Sequence, residues 1–433
     1  MLRLVVSALV LLFATPSTSS VTHRDARQRT DLAAAIDSFV DRQVAADSFS
    51  GVVLFAAVGA RAYQRAVGVA NRETGTRMGV DTKVQIASAT KLFTQIAIRQ
   101  LEQAGKLSLS DTVGQFLPAY RNAIVRSRVT VEQLLRHRSG VGSFWNERFL
   151  AHVSEIRTVN DYLALFQDDS LLFAPGTDQA YSNGGYVILG AIIERVSGMS
   201  YHDYVREHIF APAGMTETMP YDDRAPRSNV AVGYTFQSLG GVPGGDRRLA
   251  GVRPRPGYDA ASASQGSSSS GTPSMIIRRP RDTTDAAVAP PPASAGPRLR
   301  IMGADGKELS PQEARAAIAQ RAASGTPRRS NAAFQASMSG PAGDHYSTVG
   351  DFLKLAQALV GRKLLDSVRT KAVLGDRFAQ GSDFRANGGG PGSNAEFSIF
   401  PSGDVVVVLS NYDPPAATAV AQFIRSRVPS APR

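Results

Sequence analysis

A chain of 433 residues that is 43% hydrophobic can bury the core of one large domain or two interlocked ones. Its formal charge of +11 resembles a nucleic-acid signal, yet residues 241–335 alone carry 14 Lys/Arg against 7 Asp/Glu, so most of the excess lies in one segment and no nucleic-acid partner is expected. With no cysteine, the chain cannot form disulfides, use thiol catalysis or hold a metal by thiolate.

Residues 1–20 start with a single basic residue, Arg3, pass through an apolar stretch from Leu4 to Phe13 and end in Thr15-Pro16-Ser17-Thr18-Ser19-Ser20. This is the pattern of a secretory signal peptide, and the apolar run is too short to span a bilayer comfortably, so a periplasmic or secreted location is expected. A helix is predicted over Asp31–Ala46, then a hairpin from Gly51–Val58 and Arg61–Ala70. After a short apolar entry, Val84-Gln85-Ile86-Ala87, the residues Leu92, Phe93, Ile96, Ala97 and Leu101 recur at helical spacing.

Ser88 and Lys91, the only S-x-x-K pair, open that helix. Residues three apart share a helix face with about 5–6 Å between Cβ atoms, so the lysine can reach the hydroxyl. A serine alone is a poor nucleophile, and lysine serves as its base only where burial or neighbouring positive charge strips its proton. The first turn also leaves backbone N–H groups free, which suits an oxyanion hole.

Further along, His137 reads as a structural helix-end turn, while Phe144 and Trp145 either wall an acyl pocket or pack on each other. Tyr181-Ser182-Asn183 falls in a loop before a helical pattern of Tyr186, Val187, Leu189, Gly190, Ile193 and Val196 that Gly198 closes. Tyr181 is suited to be a second base or proton shuttle, and Asn183 to donate to a substrate carbonyl while fixing the lysine. The six histidines include no close ligand pair, since His202 and His208 at spacing six lie on different helix faces, so no metal site is expected.

Residues 241–335, with Ser262–Ser270 and Pro290-Pro291-Pro292, read as a basic, largely disordered insertion. It is either a solvated surface loop or a weak electrostatic tether to anionic envelope polymer or lipid headgroups. Within it Ser310-Pro311-Gln312-Glu313 is a capping box that predicts a helix over Pro311–Arg321. The chain closes with a glycine-rich run from Gly388 to Gly392, a hairpin of Asn394–Phe400 and Asp404–Ser410 across Pro401-Ser402-Gly403, and a helix over Ala416–Val428. The fold class is therefore α/β: N- and C-terminal strands share one antiparallel sheet flanked by helices, and residues 84–236 supply a mostly helical lobe, with the nucleophile at the seam.

Together these motifs resemble the serine beta-lactamase-like superfamily of penicillin-binding DD-peptidases, class C beta-lactamases and related esterases and D-peptidases. The matching text covers most of residues 28–236 and 340–426 and also includes Gly105-Lys106-Leu107-Ser108-Leu109, Leu134-Leu135-Arg136-His137-Arg138-Ser139-Gly140, Pro175-Gly176-Thr177 and Phe210-Ala211-Pro212-Ala213-Gly214-Met215. The resemblance implies a beta-lactamase-like domain in two parts, 28–240 and 336–428, with no cofactor and no metal. It also implies that Ser88 is acylated, that Lys91 is its base or proton relay, that Tyr181 activates water or the leaving group, and that Asn183 holds substrate and lysine.

The third motif departs from the family, which places Lys-Thr-Gly or His-x-Gly on the strand lining the cleft. Here Arg385-Ala386-Asn387-Gly388-Gly389-Gly390-Pro391-Gly392 puts Ala386 or Asn387 in the cation's place. Asn387, Gly389 and Gly390 are the expected substrate contacts, with Gly389 or Gly390 offering the second oxyanion N–H. By the resemblance, His345 sits where the cleft rim is often lined, although a surface turn is the reading preferred for it. Losing the cation weakens recognition of a substrate carboxylate. The expected function is a serine hydrolase acting through an acyl-enzyme on carboxylic esters or D-amino-acid amides or peptides. A beta-lactamase or DD-peptidase, or a non-catalytic binding homologue, are the alternatives.

Overall fold

Val52-Val53-Leu54-Phe55 and Val405-Val406-Val407-Val408-Leu409 are apolar without alternation, the composition of strands covered on both faces. In the computed structural model, which describes residues 18–225, 228–236 and 324–428 together with 301–302, 308–309, 313, 316, 320 and 321, these segments are central strands. The sheet contains β1 (Gly51–Ala56), β2 (Tyr63–Val67), β3 (Phe384–Gly390), β4 (Ser393–Ile399) and β5 (Val405–Ser410), in the order β3-β4-β5-β1-β2. All neighbours are antiparallel, and the two ends of the chain meet where Gly51 pairs with Ser410 and Ala56 with Val405.

One face of the sheet carries α1 (Thr18–Ala45) and, at the far end of the chain, α5 (Ala416–Arg425). Ile36 and Val40 join Val53, Val406, Val408, Val420 and Ile424 in one buried cluster, and Phe39 stacks on Phe423 with ring centroids 4.1 Å apart. Each such aliphatic side chain contributes roughly 1.5–3 kcal/mol by leaving water. The other face, with Val52, Leu54, Phe397, Val407 and Leu409, meets the helical lobe, which includes α2 (Lys91–Gln103), α3 (Asn183–Ser197) and α4 (Val349–Val360). Phe352 of α4 lies 5.0 Å from Phe397 of β4. The site forms where this lobe abuts the free edge of β3.

Several expected boundaries move. The strand expected over Arg61–Ala70 stops at Val67, because Gly68 turns the chain with φ +85° and Val69–Asn71 pairs instead with Thr76–Arg77. Helix α1 starts thirteen residues before Asp31, at Thr18, and α5 ends at Arg425, before Val428. Residues 1–17 of the expected signal peptide and 241–300 of the expected insertion lie outside the described residues. Of the helix expected over Pro311–Arg321, Glu313, Ala316, Gln320 and Arg321 are described, and they are helical.

The end of the insertion is corrected. Arg328 is 7% exposed, with its guanidinium over the rings of Phe236 and Tyr412 at 4.0 and 3.9 Å and paired with Asp47 and Asp413. Asn331 and Phe334 are buried as well, so these residues belong to the folded body. Among the described residues no helix is long and apolar enough to cross a membrane.

Candidate active site

Ser88 sits on a short 3-10 turn, Ala87–Thr90, that runs into α2 at Lys91. The turn is held from behind, since Val84–Gln85 pairs with Tyr346–Ser347 and the N–H of Ile86 donates to the His345 carbonyl at 2.9 Å. Ala87 adopts φ +43°, a left-handed backbone that costs an L-residue about 1–2 kcal/mol. The first hydrogen bond of the turn is from Ala89 N–H to Ile86 O, at 3.0 Å. The Ser88 N–H precedes it and stays outside the turn's own bonding.

Lys91 stands one turn on and is buried. Its Nζ donates to Ser88 Oγ at 3.2 Å, to Asn183 Oδ1 at 2.7 Å and to the Ala342 carbonyl. Those three bonds use every proton an ammonium has. The Ala342 contact depends on close packing: Thr94 Oγ1 donates to Pro341 O at 2.7 Å, and a Cβ on Gly190 of α3 would come within 2.1 Å of the Pro341 ring. Burial pushes Lys91 down to about 7, with Asp344 pulling the other way. Near neutral pH a large fraction of the lysine is therefore an amine that can accept a proton.

Tyr181 donates to the same Ser88 Oγ at 2.7 Å, and burial holds its phenol well above the usual tyrosine range. Ser182, the N-cap of α3, accepts from the N–H of Gly185 at 2.8 Å, which fixes the loop carrying Tyr181 and starts the helix at Asn183. His137 is the other support. It takes φ +56° past a short helix, its Nδ1 accepts the Ser182 N–H at 3.1 Å, and its ring lies 4.7 Å from that of Tyr181. Burial and the neighbouring Lys91 drive its pKa down to about 3, so the ring is neutral.

The strand register decides the third motif. A Cβ on Gly388 would meet Ile86 O at 2.0 Å and Ser88 N at 2.8 Å, so β3 lies directly against the nucleophile's turn. Strand alternation gives Ala386 and Gly388 the same face, opposite Phe397 and Ala395. Asn387 shares the other face with its partner Glu396, whose carboxylate is bound by Thr418 and Arg425 of α5. The expectation for Asn387 is therefore corrected: it points toward α5, and Ala386 occupies the cation's place. Arg385 is on the Asn387 face, paired with Asp383 at 2.7 Å, so it does not replace the missing charge.

Gly390 and Ser393 close the two-residue Pro391-Gly392 connection. The closing pair is hydrogen-bonded in such a hairpin, which turns the Gly390 N–H inward and, by alternation, the Gly389 N–H to the free edge.

His345 is also corrected. Its side chain is fully buried behind α2, with Phe93, Tyr201, Phe210 and His202 around it, and it does not reach the cleft. Phe144 and Trp145 both pack on Phe149, at 5.3 and 4.6 Å. Three residues of the site had no short motif to announce them: Gln85, Ser143, which accepts from Asn183 Nδ2 at 3.2 Å, and Asp344. Among the described residues no group of three or more His, Cys, Asp or Glu is placed to hold a metal.

The family profile described as Beta-lactamase matches residues 36–427. "Penicillin-binding protein 4*" of Bacillus subtilis (strain 168) is 34% identical over 194 residues, 43% of this chain and 42% of that protein. "Penicillin-binding protein 4" of Amycolatopsis lactamdurans is 32% identical over 187 residues, covering 42% and 48%. The matches thus span less than half the length of these curated relatives. Among solved structures, a penicillin binding protein from Bacillus halodurans superposes with a TM-score of 0.60 at 23% identity, over 87% of this chain and 96% of that one. A D-amino acid amidase from Ochrobactrum anthropi SV3, complexed with D-phenylalanine, does so with a TM-score of 0.59 at 21% identity, over 92% and 97%. At these identities the solved structures establish a shared fold.

Proposed function

Because the chain belongs to the beta-lactamase family, we propose that it is a serine hydrolase that works through an acyl-enzyme on carboxylic esters or D-amino-acid amides or peptides. The observation that carries this reading is the convergence of Lys91 and Tyr181 on one oxygen, Ser88 Oγ, at 3.2 and 2.7 Å. Neutral Lys91 takes the Ser88 proton as Oγ attacks the carbonyl carbon. The N–H groups of Ser88 and Gly389 receive the oxyanion. Collapse expels an alcohol or amine, protonated through Lys91 and Tyr181, and the same pair then deprotonates the water that frees Ser88. Asn183, bonded to Lys91, keeps the amine in place.

Ala386 gives neutral substrates the advantage over those with a carboxylate, because no cation faces the cleft from that strand. The names of the penicillin-binding relatives favour a second reading, a beta-lactamase or DD-peptidase. Residues 1–20 support export to the periplasm or beyond, and the basic stretch that begins at 241 supports weak contact with anionic envelope surfaces.

Intact-protein mass spectrometry tests the chemistry. Wild type and Ser88→Ala are exposed to a p-nitrophenyl ester, a fluorophosphonate and a penicillin, with p-nitrophenol release followed in parallel. The expected result is an adduct on wild type alone and a loss of ester turnover of at least about 10³-fold in Ser88→Ala. No Ser88-dependent adduct from any reagent would leave a binding homologue, and rapid penicillin turnover would favour the second reading.

A further inference from the structure

Asp344 lies beside the nucleophile's turn, within electrostatic reach of Lys91 and Tyr181, and has no part in the acyl-transfer steps above. Its backbone is tied to the nucleophile's turn, with its N–H donating to Ala87 O at 3.3 Å, and it holds φ +76°, a conformation that L-residues rarely keep without cause. The carboxylate is oriented: Oδ1 accepts from Gln85 Nε2 at 3.1 Å, and Gln85 Oε1 in turn accepts from Asn331 Nδ2 at 3.0 Å. Gln85 is the only hydrogen-bond partner of that side chain among the described residues, and the residue is still partly open to solvent.

Lys91 lies within electrostatic reach of that carboxylate but is not paired with it. The Lys91 donors go to Ser88, Asn183 and Ala342, and no ion pair joins the two side chains. The strand opposite offers Ala386, and the guanidinium of Arg385 is held by Asp383. Asp344 therefore keeps a carboxylate with no ion-pair partner among the described residues, and the strand opposite lacks the cation its third motif would otherwise carry. Burial raises Asp344 only to about 6, with Lys91 and Gln85 pulling the other way, so it is ionised at neutral pH.

We propose that Asp344 is a specificity-determining residue that receives a substrate ammonium, so that the acyl donors are esters or amides of amino acids with a free amino group. The proposal rests on the serine-hydrolase reading and names its substrate class. A substrate carboxylate would meet repulsion at the same place.

The test compares hydrolysis of D-phenylalanine methyl ester with its N-acetyl counterpart at pH 7.5 in wild type, Asp344→Asn, Asp344→Gly and Asp344→Glu. The readout is the ratio of the two kcat/KM values within each protein, which cancels any common effect on Lys91 or on folding. The ratio in wild type should exceed that of the Asn and Gly variants by tenfold or more, while Glu retains part of the preference. Glycine accepts the backbone at 344 without strain, so a poorly folding Asn variant does not leave the question open. An equal ratio in all four proteins overturns the proposal and leaves the hydrolase reading intact, provided the fluorophosphonate labels Ser88; failure of that labelling overturns both.

Discussion

Lys91 derives its chemistry from where it is buried. Because its pKa is lowered from the usual lysine value to about 7, it is charged below that pH and a base above it. Ester kcat/KM is therefore expected to climb with pH through about 7 and level off above, and a profile flat from pH 5 to 9 would remove Lys91 from the role of base. Lys91→Arg keeps the charge but cannot lose it, and is expected to cut kcat by about 10²–10⁴-fold, the usual worth of a positioned base. The serine and lysine were legible in the sequence because helix periodicity alone places them together. Asp344 was not, since it reaches Gln85 across 259 residues of chain and only the folded structure brings the two within 3.1 Å.

At the level of elements, β3 does the most with the least side chain. Gly388→Ala would drive a methyl group into Ile86 O and Ser88 N, while the nearest atom to a Cβ on Gly390 is Ser393 Oγ at 3.7 Å. Urea midpoints should therefore show a loss of about 1–3 kcal/mol for Gly388→Ala and clearly less for Gly390→Ala. Equal losses would mean that β3 does not press on the nucleophile's turn. The glycine run marked a close approach in the sequence, yet it could not say which residue faced Ser88. One residue of register exchanges Ala386 for Asn387, and pairing with β4 sets that register. Helix α3 was read more fully, because its apolar period and its closure at Gly198, which takes φ +75°, are local signals, and the structure adds Ser182 as its N-cap.

Across the whole molecule, two expectations concern stability. Removing residues 241–320 should leave a cooperative melt within about 3 °C of wild type, whereas removing 241–335 also takes Arg328 from between Asp47 and Asp413 and should cost about 3–5 kcal/mol. Two identical melts would put the boundary back at 335. Acid should also loosen the fold. Burial lowers His345 far below its usual value and His202 to about 4. The unfolded chain thus binds protons that the folded one refuses, and stability falls as pH drops below about 6.5, by about 1.4 kcal/mol per unit for each histidine. His345→Leu should remove one such slope between pH 7 and pH 5, and an unchanged slope would place that titration elsewhere. By itself the sequence determined whatever depends on neighbours in the chain: strand and helix periods, caps, the S-x-x-K face and the family. Tertiary structure decided the direction of each β3 residue, the burial that makes Lys91 a base, the inward turn of His345, and the placing of the Asp344 carboxylate beside the nucleophile's turn without an ion-pair partner. The first follows from the pairing of β3 with β4 and the others from contacts between segments far apart in the chain, so no pattern within one element encodes them.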